Sequence, residues 1–166
     1  MKPIPATEAS GVAEPDPLDL ETFLPYRLSV LSNRVSTVVA RVYSSRFGLS
    51  IAEWRLIAIL GRFGPLSANE VAGRTYMDKV RVSRTVQRLL ERGLVARTID
   101  AADRRRSILQ LSPEGAAIRA EVAPLALDIE SRLLAVLSAE DRADLDRILT
   151  LLGATADTFL QERGPE

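Results

Sequence analysis

The sequence contains no cysteine and no histidine among its 166 residues. Without cysteine the chain has no disulfide, no thiolate nucleophile and no thiol redox switch. Without histidine it lacks the most frequent general base, and the usual zinc sites lose their common ligands. Carboxylates are plentiful, yet none is marked as a buried pair or as the neighbour of a nucleophile and a base. We therefore expect a protein that is not an enzyme and that binds neither a metal nor another cofactor.

The sequence also lacks any apolar run of about 18 residues, the length that a bilayer-spanning helix needs. Its N-terminus does not have the basic and then apolar layout of a signal peptide. We expect a cytoplasmic protein with no membrane partner.

Apolar residues make up 46% of the chain, enough for a core, but residues 1–17 carry four prolines and few large apolar side chains. We expect those residues to form a disordered tail.

The net charge is zero, but the charge is unevenly distributed along the chain. Residues 74–106 hold ten basic and four acidic side chains, whereas residues 112–166 hold five basic and eleven acidic ones. Such an asymmetry is typical of a protein with one surface for a polyanion, although charge blocks are also often plain solvated faces.

Capping signals predict the starts of several helices. Residues 50–53 and 67–70 both read S-x-x-E, the capping-box pattern, and each leads into apolar residues. Asp78 caps a further helix that we expect to run to Arg92, since Gly93 follows in the position favoured after a helix C-terminus.

The periodicity changes after this helix. Residues 94–99 and 107–111 are short runs of β-branched and apolar residues on either side of a charged turn, a pattern that predicts a β-hairpin. Residues 112–113 open a long helix in which Pro124 predicts a kink, and a final capped helix follows. With a first helix over residues 25–47, the predicted order is α-α-α-α-β-β-α-α. The fold class is mainly α with a small β-hairpin wing.

The helix that begins after Asp78 separates apolar from polar side chains. Its apolar side should pack on the domain and holds Val82, Val86, Leu89 and Leu90. Its other side and first turn hold Lys79, Val80, Arg81, Ser83, Arg84, Gln87 and Arg88. A short helix, a turn at Thr75–Met77 and this basic helix form a helix-turn-helix pattern, which the hairpin extends to a winged helix.

These side chains suit the DNA major groove. There arginine pairs with guanine, glutamine reads adenine, and an apolar group such as Val80 touches a thymine methyl. Lys79 is better placed for a phosphate. The alternative is an amphipathic helix that is basic but merely solvated.

The predicted hairpin tip carries Asp103, Arg104, Arg105 and Arg106. Guanidinium groups on a thin β-ribbon can enter a narrow minor groove, whose negative potential attracts them. The alternative is a solvated basic turn.

The chain resembles the MarR family of winged-helix transcriptional regulators from about Phe23 to Phe159. The stretches that carry the resemblance are LSIAEWRL at 49–56, GPLS at 64–67, MDKVRVSRTV at 77–86, ERGLV at 91–95, DRR at 103–105 and LSPEG at 111–115. The resemblance implies an obligate homodimer that binds pseudo-palindromic double-stranded DNA. It also implies that Arg105 is the wing-tip arginine, that Asp103 braces the wing, and that Arg81, Ser83 and Arg84 meet bases and phosphates.

A homodimer is also expected on physical grounds. The first helix and the last two are long and amphipathic, and they expose more apolar surface than one small winged domain covers. We assign residues 18–48 and 112–162 to a helical dimerisation region and residues 49–111 to the winged helix-turn-helix. Pairing would set two recognition helices about 34–36 Å apart, one turn of DNA. The alternative is that these helices pack on their own domain.

A small organic effector, or none, is expected because the residues for peroxide or metal sensing are absent. The family commonly binds aromatic carboxylates, and the candidate lining residues here are Tyr26, Arg27, Arg34, Trp54 and Arg55. Trp54 is better explained as a core residue, and Arg27 or Arg34 as a member of an interface ion pair. Residues 23–29 look similar to regulators of aromatic-acid catabolism, so the candidate effector is an aromatic acid or its coenzyme A thioester.

We thus predict a ligand-responsive, sequence-specific repressor that its effector releases from DNA. The alternative function is a winged-helix module that contacts protein and does not bind specific DNA, which would show little dependence on salt.

Overall fold

The computed structural model describes residues 18–99 and 107–162. Within these ranges the chain forms six α-helices and three β-strands. The elements are α1 Leu24–Phe47, α2 Ile51–Phe63, β1 Leu66–Ser67, α3 Ala68–Thr75, α4 Lys79–Glu91, β2 Val95–Ile99, β3 Ser107–Leu111, α5 Pro113–Leu134 and α6 Ala139–Glu162. The mainly α fold with a small wing is confirmed. The predicted tail at residues 1–17 and the hairpin tip lie outside the described residues.

The chain divides into two units, Met1–Ser36 and Thr37–Glu166. In the first unit, the described residues begin with a turn at Asp19, whose carboxylate accepts hydrogen bonds from the Glu21 amide (2.9 Å) and the Thr22 hydroxyl (3.0 Å). This turn leads into α1. Within the described part of this unit the side chains are exposed or half-buried.

The predicted helix caps are confirmed in the second unit. Ser50 accepts a hydrogen bond from the Glu53 amide at 3.3 Å, and the Glu53 carboxylate accepts one from the Ser50 amide at 2.8 Å. Ser67 and Glu70 form the same reciprocal pair at the start of α3. Each box satisfies amides that the first turn of a helix would otherwise leave without acceptors.

One apolar core holds the second unit together. Its fully buried members come from the end of α1, from α2 to α4, and from β2, β3 and α5. They include Tyr43, Leu49, Leu56, Ile57, Val71, Val82, Val86, Leu89, Leu109 and Val122. The apolar side of α4 therefore fixes that helix against the domain and leaves its other side outward.

A three-stranded antiparallel sheet forms the wing, with strand order β1-β3-β2. The predicted hairpin is confirmed, with Val95 opposite Leu111 and Ile99 opposite Ser107. Strand β1 was not predicted from the sequence, because two residues carry no alternating pattern. Leu66 pairs with Leu109, which joins the base of the wing to the start of α3.

The base of the wing also packs closely on α5. A Cβ atom added at Gly115 would overlap the carbonyl oxygen of Leu94, so the backbones meet where only glycine fits. Ser112 donates its amide to the same carbonyl at 3.1 Å. The helix continues through Pro124, and the predicted kink stays a prediction.

The last helix, α6, is 24 residues long and has no buried residue. Its exposed apolar side chains include Leu145, Ile148, Leu149, Leu152 and Phe159. The alternative that these helices pack on their own domain holds for the end of α1 and for α5, which contribute Tyr43 and Val122 to the core, but it does not account for the side chains of α6. Across residues 18–99 and 107–162, none of the helices combines the length and apolar character that crossing a membrane demands.

Candidate nucleic-acid interface

A tight turn joins α3 to α4. The Thr75 hydroxyl donates to the Val71 carbonyl at 2.9 Å and accepts from the Met77 amide at 3.3 Å. These two bonds fix the backbone at the end of α3. Tyr76 then takes a left-handed backbone conformation with φ of 51°. Asp78 caps α4 by accepting the Arg81 amide at 2.8 Å. The result is a short helix, a turn and a second helix in direct succession.

The outer side of α4 consists of the residues predicted to contact DNA. Lys79, Val80, Arg81, Ser83, Arg84, Gln87 and Arg88 are all exposed. Val80 is 60% exposed, which is high for a valine and leaves its methyl groups open to a ligand. The side-chain amide nitrogen of Gln87 donates to the Glu91 carboxylate at 2.9 Å, so this side chain already has a partner on the same helix.

A groove of about 580 Å³ lies between this face of α4 and the start of α2. Its lining is basic on the α4 side and comprises Ser50, Ile51, Ala52, Asp78, Val80, Arg81, Arg84, Thr85 and Arg88. The capping box already occupies the amides of Ser50 and Glu53 at the start of α2, but the positive end of the helix dipole still lies there. The groove therefore combines three guanidinium groups with a helix start, which suits an anionic backbone.

Residues 50–52 were missed as part of this interface. The capping box marks the start of α2 in the sequence, but only the tertiary fold brings that start beside α4. A capping signal indicates where a helix begins and does not indicate what it faces.

The C-terminal end of α4 is anchored by Arg92. Its guanidinium donates to the carbonyls of Phe47 (2.6 Å) and Gly48 (3.2 Å) at the end of α1. The same group lies 3.5 Å from the carboxylate of Glu53, which is only 6% exposed. One side chain thus ties the end of the exposed basic helix to both α1 and α2.

Glu53 stays ionised in this network. Burial alone would raise its pKa, but hydrogen bonds from Ser50 and the charges of Arg92 and Arg88 outweigh burial and hold the pKa below its usual value. Because the folded pKa is depressed, the carboxylate stabilises the fold at neutral pH, and this stabilisation is lost as pH falls through the folded pKa.

The described strands of the wing end at the paired residues Ile99 and Ser107. Ile99, at the end of β2, is 71% exposed, so core packing does not explain why an apolar residue stands at this position. The predicted wing-tip residues, Asp103, Arg104, Arg105 and Arg106, lie outside the described residues.

The candidate effector residues fall in two places. In the first unit, Tyr26, Arg27 and Arg34 line a groove of about 570 Å³ together with Leu24 and Leu31. The structure thus brings an aromatic ring and two guanidinium groups to one apolar groove.

In the second unit, Trp54 is half-buried, with its ring centroid 5.5 Å from that of Tyr43, so it belongs to the edge of the core. Arg55 is exposed. Burial raises the pKa of the Tyr43 hydroxyl, and the charge of Arg55 opposes that effect. Among the described residues no group of three or more acidic side chains converges as a metal site.

The fold and this basic face define a winged helix-turn-helix, a class of DNA-binding domain. A sequence model of the MarR family matches residues 47–106. The chain is 31% identical over 111 residues to the HTH-type transcriptional repressor MdtR of Bacillus subtilis, covering 67% of this chain and 72% of that protein. The chain belongs to the MarR family of transcriptional regulators.

Solved structures agree on the fold. A MarR family transcriptional regulator from Silicibacter pomeroyi has a TM-score of 0.72 at 27% identity, covering 92% of this chain and 99% of that one. BpsR of Bordetella bronchiseptica, whose DNA binding is regulated by 6-hydroxynicotinic acid, has a TM-score of 0.73 at 24% identity, covering 83% and 98%.

Proposed function

We propose that this protein is a homodimeric repressor that reads a pseudo-palindromic operator with α4 and leaves it when a small aromatic acid binds. The observation that carries the DNA-binding part is the groove in which Arg81, Arg84 and Arg88 face the start of α2. Among the described residues, Asp78 is the one acidic residue that lines that groove, and it is engaged in capping α4.

The side chains of α4 divide by the contacts they suit. Arg81 and Arg84 have the bidentate geometry that reads guanine, and Val80 suits a thymine methyl. Lys79, Ser83 and Arg88 suit phosphate oxygens and fix the register of the helix. Gln87 suits adenine once it leaves Glu91. Arg104, Arg105 and Arg106 complete the interface in the minor groove, with Asp103 bracing the turn.

Dimer formation is supported by the exposed apolar side of α6, with Leu145, Ile148, Leu149 and Leu152 at helical spacing. A contiguous exposed apolar stripe marks an interaction surface. A two-fold axis pairs the same stripe from two copies and repeats the DNA half-site.

The effector proposal is supported by the groove at Tyr26, Arg27 and Arg34, since guanidinium groups bind carboxylates and phosphates and the apolar lining suits an aromatic ring. An aromatic acid regulates the similarly folded BpsR. A coenzyme A thioester satisfies the same chemistry. An effector shifts the equilibrium only if it binds one dimer geometry better than the other, so it must favour a geometry that misfits DNA.

The proposed function is tested by binding to DNA from beside the protein's own gene at several salt concentrations. We expect a specific shift whose log affinity falls steeply with log salt, because arginines displace counterions from phosphates. Addition of aromatic acids and their thioesters should then lower the affinity. A salt-independent association, or no binding at low ionic strength, would contradict DNA recognition and favour the protein-interaction module.

Replacing Ala52 with glutamate tests the contribution of the start of α2. A carboxylate in the first turn favours the helix dipole, so thermal stability should be unchanged or slightly higher. In the groove, the same charge repels a phosphate, and we expect operator affinity to fall by about 1 kcal/mol per protomer, about fivefold for each half-site. Glutamine at the same position has nearly the same size without the charge and should keep most of the affinity. Equal losses for Ala52→Glu and Ala52→Gln would show that the groove does not receive phosphate.

A further inference from the structure

A hydrogen bond joins the helix-turn-helix to the last helix. The hydroxyl of Tyr76 in the α3–α4 turn donates to the carboxylate of Asp157 on α6 at 2.6 Å, across 81 residues of sequence. The pKa of Tyr76 is raised by this hydrogen bond and by the charge of Asp157. Tyr76 is 73% exposed, so core packing does not account for the position of its ring.

The backbone at Tyr76 sets the direction of this ring. Within residues 18–99 and 107–162, Tyr76 is the one non-glycine residue with a positive φ. An aromatic residue in the left-handed region is uncommon, and such conformations persist where surrounding contacts hold them. At Tyr76 the bonds of Thr75 and the cap at Asp78 close the turn from both sides.

The two ends of α4 are held differently. The C-terminal end is tied by Arg92 to two carbonyls and to the buried Glu53. The N-terminal end begins at the turn whose ring bonds α6, and α6 itself has no buried residue. Val82 and Val86 keep the apolar side of α4 in the core, so a displacement of α6 acts through Tyr76 as a small tilt of the N-terminal end of α4.

A small displacement of the N-terminal end of α4 is enough to disturb its contacts with DNA. The helix of 13 residues is about 20 Å long, so a tilt of about 5° about its C-terminal end moves the first turn by about 1.5 Å. Bidentate contacts to a base tolerate a displacement of only about 0.5 Å. Arg81 lies in the first turn, at the end that moves most, and Arg84 lies near the middle of the helix.

We propose that Tyr76 and Asp157 are positioning residues for DNA binding, forming a clasp that aligns the N-terminal end of α4 with α6. The inference rests on the proposed function, because the aligned helix is the one that reads the operator. On this basis the position of α6 in the dimer sets the angle at which α4 enters the groove, and release of the clasp lowers operator affinity.

The charge of Asp157 and its hydrogen bond to Tyr76 predict opposite effects on operator affinity when the carboxylate is removed. Removing a carboxylate from a DNA-binding protein raises its affinity for a polyanion if charge alone matters. Loss of the clasp lowers affinity. Asp146, an exposed carboxylate on the same helix, measures the effect of charge alone.

The experiment compares full-length Tyr76→Phe, Asp157→Ala, their double variant, Asp157→Asn and Asp146→Ala. We expect Tyr76→Phe and Asp157→Ala each to lower operator affinity about three- to tenfold, the net range of a typical hydrogen bond, because both side chains are exposed to water. The double variant should lose no more than either single one, because both remove the same bond. Asp157→Asn keeps an acceptor oxygen and should retain most of the affinity, and Asp146→Ala should bind as well as the wild type or slightly better.

Two further measurements separate positioning from a structural role. The melting temperature and dimer mass of each variant should match the wild type, since both side chains are exposed. Insertion of one base pair between the half-sites should weaken wild-type binding more than that of the clasp variants, because a free α4 adapts to the altered spacing.

The clasp proposal would be overturned if the affinity losses of the two single variants added in the double variant. A gain in affinity for Asp157→Ala or a changed dimer mass would overturn it as well. A wild-type protein that binds no operator would overturn the proposed function instead, so the two failures are distinguishable.

Discussion

Replacing Arg84 with alanine is expected to weaken operator binding by about 1–3 kcal/mol per half-site and to flatten the preference at the base pair that it reads. Arg84 is exposed in the middle of α4 and lines the groove beside the start of α2. Loss of a bidentate contact removes discrimination between bases as well as affinity. Binding isotherms on the operator and on random DNA, measured at one salt concentration, separate the two effects.

The matched control is Arg132→Ala. Arg132 is an exposed arginine of α5 paired with Asp128, outside the groove, so its loss should change the affinity for both DNAs by less than about twofold. If Arg84→Ala lowered binding to the operator and to random DNA by the same factor, Arg84 would be a phosphate contact and not a base reader.

Replacing Leu149 with aspartate is expected to convert the proposed dimer into a folded monomer and to lower operator affinity at least about 100-fold. Leu149 is 51% exposed on the apolar side of α6. In an interface the new carboxylate would be buried without a partner, which costs several kcal/mol. Loss of the second half-site then removes the gain from divalent binding, which is about 10²–10⁴. Sedimentation velocity measures the mass, and circular dichroism measures whether the monomer keeps its helices.

Ala143→Asp adds the same charge on the opposite side of α6, where the residue is also exposed. This variant should remain a dimer and bind normally. A Leu149→Asp protein that sediments as a dimer would show that α6 does not form the interface.

Local signals predicted most of the fold. The capping boxes at Ser50 and Ser67 predict the residue at which each helix begins, because capping depends on side chains only three positions apart. The exposed side of α4 was predicted for a similar reason, since the helical period alone separates Val82 and Val86 from Arg81 and Arg84.

The features that were missed depend on contacts between distant residues. Strand β1 exists because Leu66 pairs with Leu109, and the basic groove exists because α2 begins beside α4. The bond from Tyr76 to Asp157 spans 81 residues, and no local pattern marks either partner. Trp54 was proposed both for an effector site and for the core, and its contact with Tyr43, which favours the core, is also tertiary.

The lack of any buried residue in α6 has a consequence for how much active protein a cell holds. In the proposed dimer, association buries this helix, so folding stability rises with protein concentration by mass action. At low abundance the amount of DNA-binding species then scales with the square of the chain concentration. A modest change in synthesis or turnover would therefore alter operator occupancy more than proportionally, and newly made single chains would be the form most open to proteolysis.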